Sequence, residues 1–137
     1  MPKLNDMKET ALYVDDIERA KWFYQDVMGL GLLLDDPRIC AFDVGGRHVL
    51  LICARGKSNQ DMYLPGGMVP AHDGSGALHA GFAIDAEEFD AWKEHFQWHG
   101  VEIVSEFSWP AGGRSIYFRD PDGHTLELLT PGVWRTY

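Results

Sequence analysis

Glu9, His79 and Glu127 are of types that hold a divalent cation, and a repeat places two of them. Near its start the chain reads Glu9-Thr10-Ala11-Leu12-Tyr13-Val14-Asp15, and seventy positions later it reads His79-Ala80-Gly81-Phe82-Ala83-Ile84-Asp85. Glu9 and His79 therefore occupy equivalent places in two copies of one unit. A pseudo-twofold arrangement of the copies would set them facing each other, which is one way to assemble a metal site. Glu127 stands inside the apolar run Leu126-Glu127-Leu128-Leu129. A carboxylate buried there without a partner would cost several kcal/mol, so it requires a cation or a full set of hydrogen bonds. Taken singly, Glu9 is ordinarily a solvated surface group and His79 more often a satisfied polar residue than a ligand.

Further polar residues gather upstream of Glu127, in Gly112-Gly113-Arg114-Ser115-Ile116-Tyr117. Arg114 and Ser115 are candidates for binding an anionic substrate group at a cup mouth, because a guanidinium pairs bidentately with carboxylate or phosphate. The alternative is an arginine that ties the Gly-Gly loop to an acidic neighbour. Tyr117 should share a strand face with Ser115 and is a candidate hydroxyl donor to substrate. His72 is a candidate acid, base or gate, since imidazole titrates near neutrality. Glu127 and Tyr117 with His72 thus form the candidate catalytic set. His48, His95, His99 and His124 receive no role.

The elements that must position these groups follow from periodicity. Each repeat is an apolar strand ending at Asp15 or Asp85, with Glu18 or Glu88 three residues on, the pattern of a carboxylate-capped helix start. A helix over about 16–28 carries Ile17, Ala20, Phe23, Tyr24 and Val27 on one face, and one over about 86–99 carries Phe89, Trp92 and Phe96. Gly29 and Gly100 are placed to close them in the left-handed conformation. Strands are expected over about 30–35, 39–44 and 48–53, and again over 101–107, 115–119 and 125–129, separated by turn residues. The order strand, helix, three strands occurs twice, giving an α+β, mostly antiparallel eight-stranded domain: module one about 8–54, a connector 55–77, and module two about 78–130. The connector is rich in Gly, Pro, Ser and Asp and suggests a lid, an arm onto a second subunit or a mobile segment.

At 137 residues the chain is one ordinary domain by length, able to fold without staples. Its formal charge of −9 and lack of a basic stripe exclude nucleic acid as an expected partner. No run is long enough to span a membrane and the first residues lack a signal core, so a soluble cytoplasmic protein is expected. Cys40 and Cys53, in apolar contexts and without metal-knuckle spacing, are expected as free core thiols. Trp109-Pro110, Trp134 and Tyr137 lie outside the repeat as covers for a cup or a subunit contact.

The stretch from Leu12 to Tyr24, ending at Met28-Gly29-Leu30, resembles the opening of the vicinal oxygen chelate superfamily, which groups glyoxalases, fosfomycin and bleomycin resistance proteins and extradiol dioxygenases. Tyr117-Phe118-Arg119-Asp120-Pro121-Asp122-Gly123-His124-Thr125-Leu126-Glu127-Leu128 resembles its closing hairpin. The resemblance implies paired βαβββ modules whose curled sheets enclose a cup, a homodimer, and a small-molecule substrate. It implies one divalent ion (Mn, Fe, Zn or Mg) on Glu9, His79 and Glu127. The fourth ligand position of the superfamily falls at Leu50, or at Leu51 with a one-residue slip, and neither side chain can bind a metal. Glu9 stands where extradiol dioxygenases carry a histidine, which leans the expectation toward a lyase or isomerase working through a metal-stabilised enolate and away from ring cleavage. The competing expectations are a metal-free module that sequesters a drug or aromatic ligand, and a domain that survives as a dimerisation unit.

Overall fold

The computed structural model describes residues 1–137, which divide into two compact units, 1–75 and 76–137. The first contains β1 (Glu9–Val14), α1 (Ile17–Trp22), β2 (Gly31–Asp36), β3 (Ile39–Val44), β4 (His48–Ala54) and a small hairpin of β5 (Met62–Leu64) and β6 (Gly67–Val69). The second contains β7 (His79–Ala83), α2 (Phe89–His99), β8 (Ile103–Ser108), β9 (Arg114–Arg119) and β10 (Thr125–Leu129). The βαβββ order therefore occurs twice, as the repeat predicts. Hydrogen bonding resolves it into two four-stranded sheets, ordered β1-β4-β3-β2 and β7-β10-β9-β8. In each, the first strand runs parallel to the last and the other pairings are antiparallel.

In the first unit Leu12, Phe42, Leu50 and Ile52 are buried against the helical segment, with the Tyr24 and Phe42 ring centroids 5.8 Å apart. In the second, Phe96 of α2 meets Phe118 of β9 at 4.5 Å, over buried Ile116, Leu126 and Leu128. Because strand side chains alternate, burying one set against the helix commits the other to the opposite sheet face. That face carries Ser115, Tyr117 and Glu127.

The helix ends repay comparison with the sequence. Gly29 and Gly100 adopt φ of 69° and 68°, as expected of left-handed caps. The expected carboxylate caps differ: Asp16 caps α1 by accepting from the Arg19 amide, whereas Asp85 makes no capping hydrogen bond. The first helical segment also widens into a π-turn over Phe23–Val27, and the second opens with a 3₁₀ turn over Ala86–Glu88. Cys40 and Cys53 are free and buried. No helix is long and apolar enough to cross a membrane.

The connector is tied down along its length. The Ser58 hydroxyl donates to the His72 carbonyl and the His72 amide to the Ser58 carbonyl, while Asp61 accepts from the Ala71 amide. Gly74 sits so close to Tyr13 that a Cβ there would lie 2.4 Å from the ring. Its first 21 residues belong to the first unit, closed by hydrogen bonds from both of its ends.

Candidate functional site

Strand register places the site. Thr125 pairs with His79 and Glu127 with Gly81 across the parallel β10–β7 pair, and Glu127 pairs with Tyr117 across β9. His79 on the edge strand β7 and Glu127 on its neighbour β10 are thus set on one sheet face, one step apart diagonally. Gly81 leaves the space beside them open: a Cβ there would stand 3.7 Å from Glu127 Oε2 and 3.0 Å from Leu129.

The imidazole and carboxylate meet at 3.4 Å, His79 Nε2 to Glu127 Oε2. His79 Nδ1 lies 2.9 Å from the Thr125 carbonyl oxygen. A carbonyl only accepts, so Nδ1 carries the proton, and in the neutral ring Nε2 is left as a lone pair aimed at a carboxylate oxygen. Two acceptors face each other, an arrangement that calls for a cation between them: a proton on Nε2 or a metal ion. Fixing the tautomer through Nδ1 and a backbone carbonyl is also how metal-binding histidines are oriented.

Glu127 is 8 % exposed. Its Oε1 accepts from the Ser115 hydroxyl at 2.5 Å, and Ser115 Oγ accepts from the Trp109 indole at 2.7 Å. Tyr117 completes the surroundings, its ring centroid 6.5 Å from that of His79. Burial, followed by hydrogen bonding to Glu127 and the charge of that carboxylate, pushes the Tyr117 phenol up; a hydrogen bond with Ser115 opposes this. Tyr117 therefore keeps its proton at neutral pH, with the Glu127 carboxylate as an acceptor for it.

Two expected substrate contacts are redirected. Ser115 is 0 % exposed, and its hydroxyl is committed to Glu127 and Trp109 rather than to a cup mouth. Arg114, one residue away, falls on the opposite strand face: its guanidinium carbon stands 3.6 Å over the Phe89 ring and its Nη2 4.0 Å from Glu106. Strand alternation thus gives the arginine that ties to an acidic neighbour, the structural alternative.

Glu9 and His72 lie in the first unit. Glu9 is exposed at the start of β1, paired with Val49. No group of three His, Cys, Asp or Glu side chains stands together in a metal-holding arrangement. The registers decide the fourth position: Ala11 pairs with Leu51 as Gly81 pairs with Glu127, so Leu51, the slipped alternative, is the counterpart of Glu127. By the same correspondence Ala41 matches Tyr117 and Ile39 matches Ser115, so at these three strand positions the polar groups belong to the second copy alone. His72 Nδ1 lies 2.6 Å from the Tyr13 hydroxyl and lines a cavity of about 410 Å³ with Ile39, Cys53, Lys57 and Tyr63. Burial pushes the Cys53 thiol up to about 11, so that wall is neutral rather than thiolate.

Sequence reasoning missed Trp109 as a hydrogen-bond donor and Gly81 as the space beside the carboxylate. A tryptophan close to a strand end carries an N–H that seeks a partner when half-buried, and this was the available signal.

A model of the Glyoxalase/Bleomycin resistance protein/Dioxygenase superfamily matches residues 7–128. The chain belongs to this superfamily. It is 28 % identical over 118 residues to metallothiol transferase FosB of Staphylococcus saprophyticus, covering 85 % of this chain and 71 % of that protein. It is 29 % identical over 118 residues to metallothiol transferase FosB of Lysinibacillus sphaericus, covering 85 % and 76 %. Its structure matches that of lactoylglutathione lyase from Agrobacterium tumefaciens with a TM-score of 0.89 at 33 % identity, covering 98 % of this chain and 99 % of that one. As a superfamily member, the chain has the α+β fold of βαβββ modules that its opening and closing motifs imply.

Proposed function

We propose that this glyoxalase-superfamily chain is a divalent-metal-dependent enzyme acting on a small oxygenated metabolite as a lyase, isomerase or group transferase. The observation that carries this reading is the pair of acceptors, His79 Nε2 and Glu127 Oε2, 3.4 Å apart with the tautomer fixed by Thr125. The donor set fits a hard or borderline ion: one imidazole and one buried carboxylate, with Glu9 as third donor from the same chain or from a second copy in a homodimer. Two carboxylates would balance a divalent charge.

When bound, Mn²⁺, Fe²⁺, Zn²⁺ or Mg²⁺ supplies Lewis acidity toward a substrate oxygen. Around it, the chain's own groups divide the work. Gly81 keeps the space beside Glu127 Oε2 free of a side chain. Tyr117 carries a phenolic proton on the same sheet face, which would turn from Glu127 to a substrate oxygen that gains charge. Similarity to a metallothiol transferase and to a lactoylglutathione lyase supports a transferase or lyase reading. The free thiols Cys40 and Cys53 suit a reducing cytoplasm.

The test is metal-dependent turnover. Chelator-treated protein, and the same protein reloaded with each ion, is assayed with lactoylglutathione and by deuterium exchange at the α-carbon of α-hydroxycarbonyl compounds in D₂O. Activity that appears only on reloading and is lost in Tyr117→Phe supports the reading. A parent that takes up no ion, with ligands raising its melting temperature in chelator, points instead to the metal-free binding module.

A further inference from the structure

We propose that Trp109 is a positioning residue for the metal site, acting through Ser115 to fix which way the Glu127 carboxylate points. The inference rests on the reading that His79 and Glu127 hold a divalent cation, and it assigns a role to a tryptophan that neither of these residues touches through the backbone.

The direction of the hydrogen-bond chain follows from what each group can do. An indole N–H only donates, so Trp109 Nε1 gives its proton to Ser115 Oγ at 2.7 Å. Ser115 has one hydroxyl proton, which Glu127 Oε1 receives at 2.5 Å. Ser115 is 0 % exposed, so water does not compete for either contact. With Oε1 held from one side, Oε2 is the oxygen turned toward His79 Nε2. Donation from the indole polarises the Ser115 hydroxyl and strengthens its bond to the carboxylate, the cooperative behaviour of a buried chain of hydrogen bonds.

Trp109 is itself anchored. Its amide donates to the Gly113 carbonyl and its carbonyl accepts from the Gly112 amide, closing the loop between β8 and β9. Gly113 packs against the following chain so tightly that a Cβ would lie 2.4 Å from the Val133 nitrogen. The Phe107 ring stands 4.7 Å from the indole. A rigid loop thus delivers one N–H to one hydroxyl, which supplies the outer support that metal ligands require.

The experiment measures Zn²⁺ affinity by chelator competition in the parent, Trp109→Phe, Ser115→Ala and, as control, Trp98→Phe, whose side chain is 87 % exposed. In parallel, the indole N–H signals of the five tryptophans are followed by NMR during Zn²⁺ titration, that of Trp109 being the one absent from Trp109→Phe. The expected result is an affinity loss of about 10-fold for Trp109→Phe and up to about 100-fold for Ser115→Ala, with Trp98→Phe unchanged. Zn²⁺ should shift the Trp109 signal in the parent and leave it unmoved in Ser115→Ala, a response that simple loss of packing would not produce. A parent that binds Zn²⁺ with Trp109→Phe equally tight and the indole signal still overturns the positioning role and leaves the metal reading intact. A parent that binds no Zn²⁺ overturns both.

Discussion

Glu127→Gln should stabilise the metal-free protein while abolishing its response to metal. In the parent a carboxylate oxygen, 8 % exposed as a residue, stands 3.4 Å from His79 Nε2, which in the neutral ring bears only a lone pair. In the variant the amide oxygen can still accept from Ser115, while the amide nitrogen donates to Nε2. One repulsive contact becomes one hydrogen bond, and a net intramolecular hydrogen bond contributes about 1 kcal/mol. For a chain of this size that is a rise of about 3 °C in melting temperature. With Zn²⁺ at a hundred times its Kd, the parent should instead gain about 2.7 kcal/mol, or about 8 °C, and overtake the variant. The assay is thermal denaturation at pH 8, once in chelator and once in Zn²⁺. A variant that melts well below the parent in chelator would refute the reasoning, because it would mean that Ser115, Tyr117 and a proton on Nε2 already satisfy the carboxylate without a metal ion.

Three further outcomes follow from the packing. Gly74→Ala should destabilise the chain by about 1–3 kcal/mol in urea unfolding, since its Cβ would sit 2.4 Å from the Tyr13 ring that also meets His72; a change under about 0.5 kcal/mol would contradict the close approach. Phe118→Ala should cost about 3–5 kcal/mol by the same measurement, because its ring is fully buried against Phe96. Cys53, its thiol pushed by burial up to about 11 from 9.0, binds its proton more tightly folded than unfolded. Stability should therefore fall as pH rises from about 9 through 11, and the Cys53→Ala variant should show a shallower slope, the part that remains coming from the other groups that burial pushes up, Cys40 and Tyr117 among them.

The repeat was legible because it is written twice in residue types: apolar strand, amphipathic helix, glycine cap, three strands. It carried the element order, both left-handed caps and the burial of the two cysteines. Helix starts were less legible, since Asp15 and Asp16 offer the same side chain at adjacent positions and only the backbone path decides that Asp16 accepts from Arg19. Glu127 was readable from the cost of a charge among leucines. Arg114 and Ser115 were not separable by composition: one residue of strand alternation sends the first over Phe89 and the second under Glu127. The choice between Leu50 and Leu51 likewise needed the β1–β4 register, which a sequence of similar residues leaves open by one step. The connector carried no period, so its small hairpin, its internal bonds at Ser58 and Asp61 and its contact with Tyr13 had no sequence signal.

The central claim, that His79 and Glu127 hold a divalent cation, is tested most directly by counting metal per chain after dialysis against Mn²⁺ or Zn²⁺. The parent should retain close to one ion, with His79→Ala and Glu127→Gln retaining almost none and Glu9→Gln clearly less than the parent. A parent without bound metal, or variants that hold as much as the parent, would contradict it.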